Sequence, residues 1–425
     1  MSVTQTFRTL ASIPSPTLKE EKVAKKIIEL LSLKNVTVQQ DAYGNVYGKV
    51  KATDDTKPPL MVSAHMDVVG DDSPVIIKTS ADGKFYETDK TRTVGADDKA
   101  GIAVAIELIQ YLNDNVTLLH GGLEFLFTRD EEQNLTGVRN ADCSKFLSQY
   151  ILVLDADCLG DFLIAGAGYT KMILEVTAPK GGHSGIDIAD TSRVNAVKLL
   201  AQAVSLIPQG VYKQDETGVV ASINIGAIAG GGLQNQPTEK TGAEFNAFLA
   251  QNAVTNVINT NAYASYSIRS SQKSVEEDLK ADILNIIDDL NRKYAEKARF
   301  EVTFQEHMKP FEAARETYLP DLFKQVAKEH QVTPRIASFH AGAETHVFTY
   351  EKNAKEETFK PYLVGAANIY DMHSANERVE ISSLEKGFEL IKALFLITFS
   401  GVCSVELYIV ISGVELSIWK INACL

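Results

Sequence analysis

Leu60-Met61-Val62-Ser63-Ala64-His65-Met66-Asp67 is a short apolar run that ends in an imidazole and, two positions on, a carboxylate. Alternation along a strand turns residues two apart to the same side, so His65 and Asp67 share one side of a strand end. The unbroken Leu60–Ala64 run predicts a strand buried on both faces. Outward from it, Glu20 to Leu33 reads as an amphipathic helix with Val23, Ile27, Leu30 and Leu31 on one stripe. Ala100 to Leu112 reads as a second helix and Leu123 to Thr128 as a strand. Tyr150 to Leu154 (YILVL) is the clearest buried strand. Strands separated by helices predict an α/β fold, a mostly parallel sheet covered by helices. In such sheets ligands gather beyond the carboxyl ends of the strands.

The middle of the chain reads differently. Met172 to Thr177, Ala221 to Ile228, Ala262 to Arg269 and Phe300 to Gln305 read as strands, and Ser192 to Leu206 as a helix. A longer helix carries Leu279, Ile283, Ile286, Leu290 and Tyr294, with Ser274 and Glu277 spaced as a capping box. This pattern predicts an inserted α+β domain with a helix-backed antiparallel sheet over 173–310. The α/β domain then takes 1–172 and 311–425. A polar stretch from Gln234 to Lys240, after Gly230-Gly231-Gly232, looks like an insertion. From Ala393 to Val414 the chain is almost wholly apolar, with Glu406 its only charge. That is long enough to span a bilayer. Gly, Ser and Glu interrupt it, and β-rich Val405 to Ile411 between the Ser-Gly pairs at 400–401 and 412–413 predicts a buried strand pair instead.

Of the 425 residues, 45% are apolar and 23% charged, which excludes a disordered, collagen-like or disulfide-scaffold protein. Acidic residues outnumber basic ones 55 to 42, for a net charge of -13. That excess argues against nucleic acid or anionic lipid as partner and leaves room for bound cations. Cys143, Cys158, Cys403 and Cys424 have no metal or disulfide spacing, and the start has no basic patch followed by an apolar run. Both observations point to reduced thiols in the cytoplasm.

Five segments carry chemistry. Besides His65 and Asp67, they are Asp97-Asp98 before the Ala100 helix, Asp130-Glu131-Glu132 after the Leu123 strand, Asp155 closing YILVL, and Asp371-Met372-His373-Ser374. Each has an ordinary explanation: a hydrogen-bonded pair, a helix cap, an exposed loop. Together they put acids and imidazoles beyond several strand ends of one sheet. Converging carboxylates repel unless divalent cations compensate them. Mixed His and carboxylate donors without thiolates suit zinc, cobalt or manganese.

The chain resembles the two-zinc exopeptidases that include peptidase T, the Xaa-His dipeptidases, glutamate carboxypeptidase and aminoacylase. The resemblance rests on six motifs in the family's order: Ser63–Asp67, Gly95–Gly101, Thr128–Glu132, Leu154-Asp155, Gly181–Gly185 and Met372–Ser374. It implies the zinc-exopeptidase fold with a ferredoxin-like lid as the inserted domain. It implies two divalent ions, most simply Zn2+ with Co2+ or Mn2+ as alternatives, Asp97 bridging them. His65 and Asp155 would complete one site, Glu132 and His373 the other. Glu131 would be the general base that activates a metal-held hydroxide, and Asp67 a carboxylate that orients His65. Similar enzymes hold the Asp97-Asp98 bond in cis. His183 would reach the scissile carbonyl oxygen, often across a dimer interface, and Arg269 would hold a substrate carboxylate.

The loop His340-Ala341-Gly342-Ala343-Glu344-Thr345 is nearer to the Xaa-His dipeptidase version than to that of peptidase T, which makes His340 a candidate substrate contact. The implied activity is removal of a residue from short peptides, as a tripeptide aminopeptidase or dipeptidase. Amidohydrolysis of N-acyl amino acids on the same site is the alternative, and a binding protein that keeps only the fold is a further one. Apolar stripes in the lid suit a homodimer through that domain and suit a packed core equally well.

Overall fold

The Leu60–His65 strand is buried at every position, because it lies inside an eight-stranded sheet. Its neighbours Leu123–Thr128 and Tyr150–Ala156 run parallel to it, and Lys360–Gly365 runs parallel to Tyr150–Ala156. These four parallel strands form the centre. Val36–Gln40 and Val46–Val50 add an antiparallel margin on one side, and Asp161–Gly166 and Arg335–Phe339 extend the other. The Ala96–Asp114 helix is apolar nearly all round, as a helix between two layers must be. It packs on Leu60–His65 and Tyr150–Ala156 and is flanked by the helices Val3–Ala11 and Ile381–Phe399. Gly101 permits that approach, since a Cβ there would lie 2.5 Å from the Leu154 carbonyl oxygen. The chain is thus a mixed α/β protein whose central strands are parallel.

The computed structural model describes residues 2–231, 242–312, 317–399, 407–411 and 414–418. It divides into two units. One is Met1–Ala165 with Ala313–Ala337 and Ala343–Leu425, and the other is Gly166–Glu312 with Ser338–Gly342. The division falls at Ala165 rather than at 172 because Gly168–Thr177 is one unbroken strand of the second unit. Ser338–Gly342 also joins that unit, Ser338 donating both its N–H and its hydroxyl to the Thr217 carbonyl oxygen.

The second unit is a five-stranded antiparallel sheet in the order Gly210–Asp215, Gly218–Gly230, Asn261–Ser270, Gly168–Thr177, Arg299–Met308. Without the first strand this is the order of a βαββαβ ferredoxin-like unit, its helices Ala196–Leu206 and Lys273–Lys293 packing on one face. The Gly210–Asp215 strand was not expected, being mostly polar and exposed. The capping box at Ser274 is not formed. The helix starts two residues earlier than that box requires, at Lys273 after extended Gln272, whose side chain makes no cap bond, and the Glu312 carboxylate accepts the Lys273 N–H at 2.8 Å.

The terminal apolar run is not a single motif. Its first residues continue the Ile381–Phe399 helix, with Leu394, Phe395 and Phe399 buried in the first unit's core. Leu407–Ile411 and Val414–Ile418 then pair antiparallel. Among the described residues no helix is long and apolar enough to cross a membrane. Gly232, the Gln234–Lys240 stretch and the Ser-Gly pairs at 400–401 and 412–413 lie outside the described residues.

Candidate metal centre

Parallel register brings the strand ends level. His65 pairs with Thr128, and Ser63 with Val153, so two residues further on His65 stands beside Asp155. His65 Nε2 lies 3.4 Å from Asp155 Oδ1 and 3.0 Å from Asp97 Oδ1. Asp97 arrives from the start of the Ala96–Asp114 helix, where it and Asp98 are non-helical and joined by a cis peptide bond. Asp98 does have the ordinary role of a cap, accepting the Gly101 N–H at 3.1 Å.

The second oxygen of Asp97 faces another imidazole. Asp97 Oδ2 lies 2.9 Å from His373 Nε2, which is 3.1 Å from Glu132 Oε2. Two donor triads therefore share one carboxylate: His65, Asp97 and Asp155, and Asp97, Glu132 and His373. Within each triad the ligand atoms lie within 4.8 Å of one another. All five residues proposed as ligands from the sequence thus come together. A further group, Asp157, Cys158 and Asp161, has both Asp161 oxygens engaged by Arg335.

The electrostatics of the cluster fit divalent ions. Burial, then the Asp97 charge, pushes Glu132 up to about 7. Burial also pushes Asp155 up to about 7, with Asp97 adding and His65 opposing. The hydrogen bond to Asp97 raises His373 to about 9. Burial opposes ionisation of Asp97, but its bonds to His373 and His65 hold it well below the carboxylate range. Among the described residues the imidazoles of His65 and His373 are what hold Asp97 ionised, a part that two cations would take over. Glu132 Oε1 is buried with no hydrogen-bond partner among the described residues, as a donor atom awaiting an ion would be.

Glu131 opens the short turn that also bears Glu132. Burial raises its carboxyl well above the usual range, Asp155 and Asp97 adding to the effect. That turn is held by Asp67, whose Oδ1 accepts the Glu131 N–H and whose Oδ2 accepts the Glu132 N–H. His65 Nδ1 meets the backbone oxygen of Asp67 at 2.9 Å and its carboxylate only at 3.5 Å.

Three contacts were missed by sequence reasoning. Glu377 accepts the N–H groups of Gly95 and Asp97, Glu344 accepts the Ser63 hydroxyl at 2.7 Å, and Glu20 accepts the Asp130 N–H at 3.2 Å.

The second unit carries the remaining candidates. His183 is exposed on a ribbon formed by Gly182–His183 and Val257–Ile258. Its Nδ1 accepts the Gly185 and Ile186 N–H groups at 3.1 and 3.2 Å. That assigns the proton to Nε2, which points an N–H outward from the loop's own bonds. Arg269 lies in cross-strand register with Ser222 on one side and Tyr169 on the other. Its guanidinium stands 5.1 Å over the Tyr169 ring, and its Nη1 has no partner among the described residues. His340 Nε2 lies 2.7 Å from Ser222 Oγ.

The sequence matches Peptidase family M20/M25/M40 over residues 61–396. The chain belongs to that family. It is 29% identical over 238 residues to the uncharacterized protein YqjE of Bacillus subtilis (strain 168), a match covering 54% of this chain and 61% of that relative. To a peptidase T of Clostridium botulinum (strain Loch Maree / Type A3) it is 23% identical over 88% of this chain and 91% of the relative. Among solved structures, aminopeptidase PepT from Bacillus cereus ATCC 10987 superposes with a TM-score of 0.76 at 21% identity, over 93% of this chain and 97% of that one. The M20 fold is therefore present through the whole metal-centre region.

Proposed function

We propose that this M20 protein is a metal-dependent exopeptidase of short peptides, a tripeptide aminopeptidase or a dipeptidase, and that its two ions are zinc. The observation that carries the reading is Asp97, whose two oxygens each face an imidazole of a different donor triad. The likeness to peptidase T over most of the chain supports the choice of substrate.

His65, Asp97 and Asp155 would hold one ion, and Asp97, Glu132 and His373 the other. Bound there, the ions would lower the pKa of water and polarise the scissile carbonyl. Glu131, held by Asp67 through its backbone N–H, takes a proton from the attacking water and passes it to the leaving amine as the C–N bond breaks. On the second unit, the Nε2–H of His183 is the donor we assign to the oxygen of the tetrahedral intermediate. Arg269, with one guanidinium nitrogen unpartnered, is assigned to a substrate carboxylate, with His340 beside it. The cysteines without pairing spacing support a cytoplasmic location.

The test is hydrolysis of a panel of dipeptides, tripeptides and N-acyl amino acids by purified protein with zinc, cobalt or manganese. Free-amine peptides are the expected substrates. Cleavage of acylated amino acids alone would move the assignment to an amidohydrolase, and unchanged hydrolysis by Glu131→Ala would remove the base.

A further inference from the structure

We propose that Glu377 is the positioning residue for Asp97, tying the shared carboxylate to the loop that carries His373, so that both metal positions depend on it. The inference rests on the two-metal reading above.

Glu377 is 1% exposed and uses both carboxylate oxygens on one turn of backbone. Its Oε2 accepts the Gly95 N–H at 2.9 Å and its Oε1 the Asp97 N–H at 3.2 Å. Gly95 is left-handed, with φ 71° and ψ 37°, and a Cβ there would lie 2.9 Å from Val68 Cγ1. The turn that delivers Asp97 is thus shaped by a glycine and clamped by a carboxylate 280 residues away.

The clamp and the ligand come from the same loop. Residues 371–377 connect Ile369–Tyr370 to Arg378–Glu380, which pair antiparallel. Arg378 closes the neck by donating to Asp371 at 2.8 Å. Inside the loop, Ser374 Oγ donates to the Asp371 carbonyl and accepts the Asn376 N–H, and the Glu377 N–H donates to the Ser374 carbonyl. One end of this stiffened loop places His373 Nε2 2.9 Å from Asp97 Oδ2. The other end grips the backbone of Asp97.

A carboxylate offers two acceptor oxygens to two N–H groups, whereas an amide of the same shape offers one oxygen and one donor. Glu377→Gln therefore puts an N–H against an N–H and releases one side of the turn. Because Asp97 belongs to both triads, the loss falls on both ions. Loss of His373 falls on one only.

The experiment is competition titration of Zn2+ against a chromophoric chelator, on chelator-stripped full-length protein, for wild type, Glu377→Gln, Glu377→Asp and His373→Ala. Wild type is expected to take two ions, and His373→Ala to keep one near its original affinity. Glu377→Gln should bind both about 10–100-fold more weakly, the range for removing a group that orients a ligand. Glu377→Asp keeps the charge with a shorter reach and should fall between. A residue with a purely structural role would lower the melting temperature and leave both affinities in place, and that result overturns the proposal. Weakening confined to one ion overturns it as well. If Glu377→Gln does not fold, wild-type affinities in Glu377→Asp decide against it. Binding of no ion by wild type defeats the two-metal reading itself, and this inference with it.

Discussion

Asp67 Oδ1 accepts the backbone N–H of Glu131 at 3.0 Å across 64 residues of chain. Its other oxygen takes the Glu132 N–H at 3.3 Å and the Thr17 hydroxyl at 2.9 Å. The carboxylate thus serves the glutamate turn more directly than it serves His65. In Asp67→Asn one of those N–H groups faces an amide N–H instead of an acceptor. We expect kcat/KM to fall about 10–100-fold, as for other groups that orient catalytic side chains, and Thr17→Ala to cost much less. Full activity in Asp67→Asn would mean that the turn holds itself.

Adjacent glutamates with different tasks should separate on metal content. Glu132 Oε2 is 3.1 Å from His373 Nε2 and belongs to a donor triad, while Glu131 belongs to neither triad. Glu131→Gln is expected to lose on the order of 10²–10⁴-fold in kcat, the range for removing a general base, with both ions retained. Glu132→Gln should lose one ion. Elemental analysis beside steady-state kinetics reads both quantities, and equal metal loss in the two variants would make Glu131 a ligand rather than a base.

Thiol chemistry offers a check far from the metals. Cys143 is buried, and burial pushes its thiol up to about 12. Cys158 is exposed and its thiol less strongly raised, again by burial. Alkylation needs the thiolate and access to it. Iodoacetamide at pH 8 should label Cys158 in the native protein and reach Cys143 only on unfolding, as peptide mass mapping would show. Equal labelling rates in the native state would contradict the buried position of Cys143.

What the sequence made legible follows a physical divide. Apolar runs that end in acids are local signals, so the strands bearing His65 and Asp155 and the turn bearing Glu131 could be read in order. The clamps could not. Glu377 on Gly95 and Asp97, Glu344 on Ser63 and Glu20 on Asp130 join residues 110 to 282 positions apart, and nothing near each glutamate marks its partner. The Gly210–Asp215 strand was missed because it lacks an apolar face and exists by pairing with Gly218–Gly230. The helix start at Lys273 slipped because Glu276, in its first turn, accepts the Thr170 hydroxyl at 2.6 Å, so tertiary contact outranks the local capping signal.

Glu107 lets the sign of a pH effect be tested in the same fold. It sits in the Ala96–Asp114 helix, accepts the Thr6 hydroxyl at 2.6 Å from the Val3–Ala11 helix, and is raised above its ordinary range chiefly by burial. A carboxyl raised in the folded state favours folding while protonated, below its unfolded pKa, and that contribution is lost as pH rises through the folded value. Glu107→Gln keeps an acceptor for Thr6 and cannot ionise, so it is insensitive to this loss. The melting temperatures of wild type and Glu107→Gln should lie closest near pH 4, and the variant should gain on wild type as pH rises towards 8. A difference between them that stays constant over this range would show that Glu107 carries no such burden, and that solvent reaches its carboxylate in the folded chain.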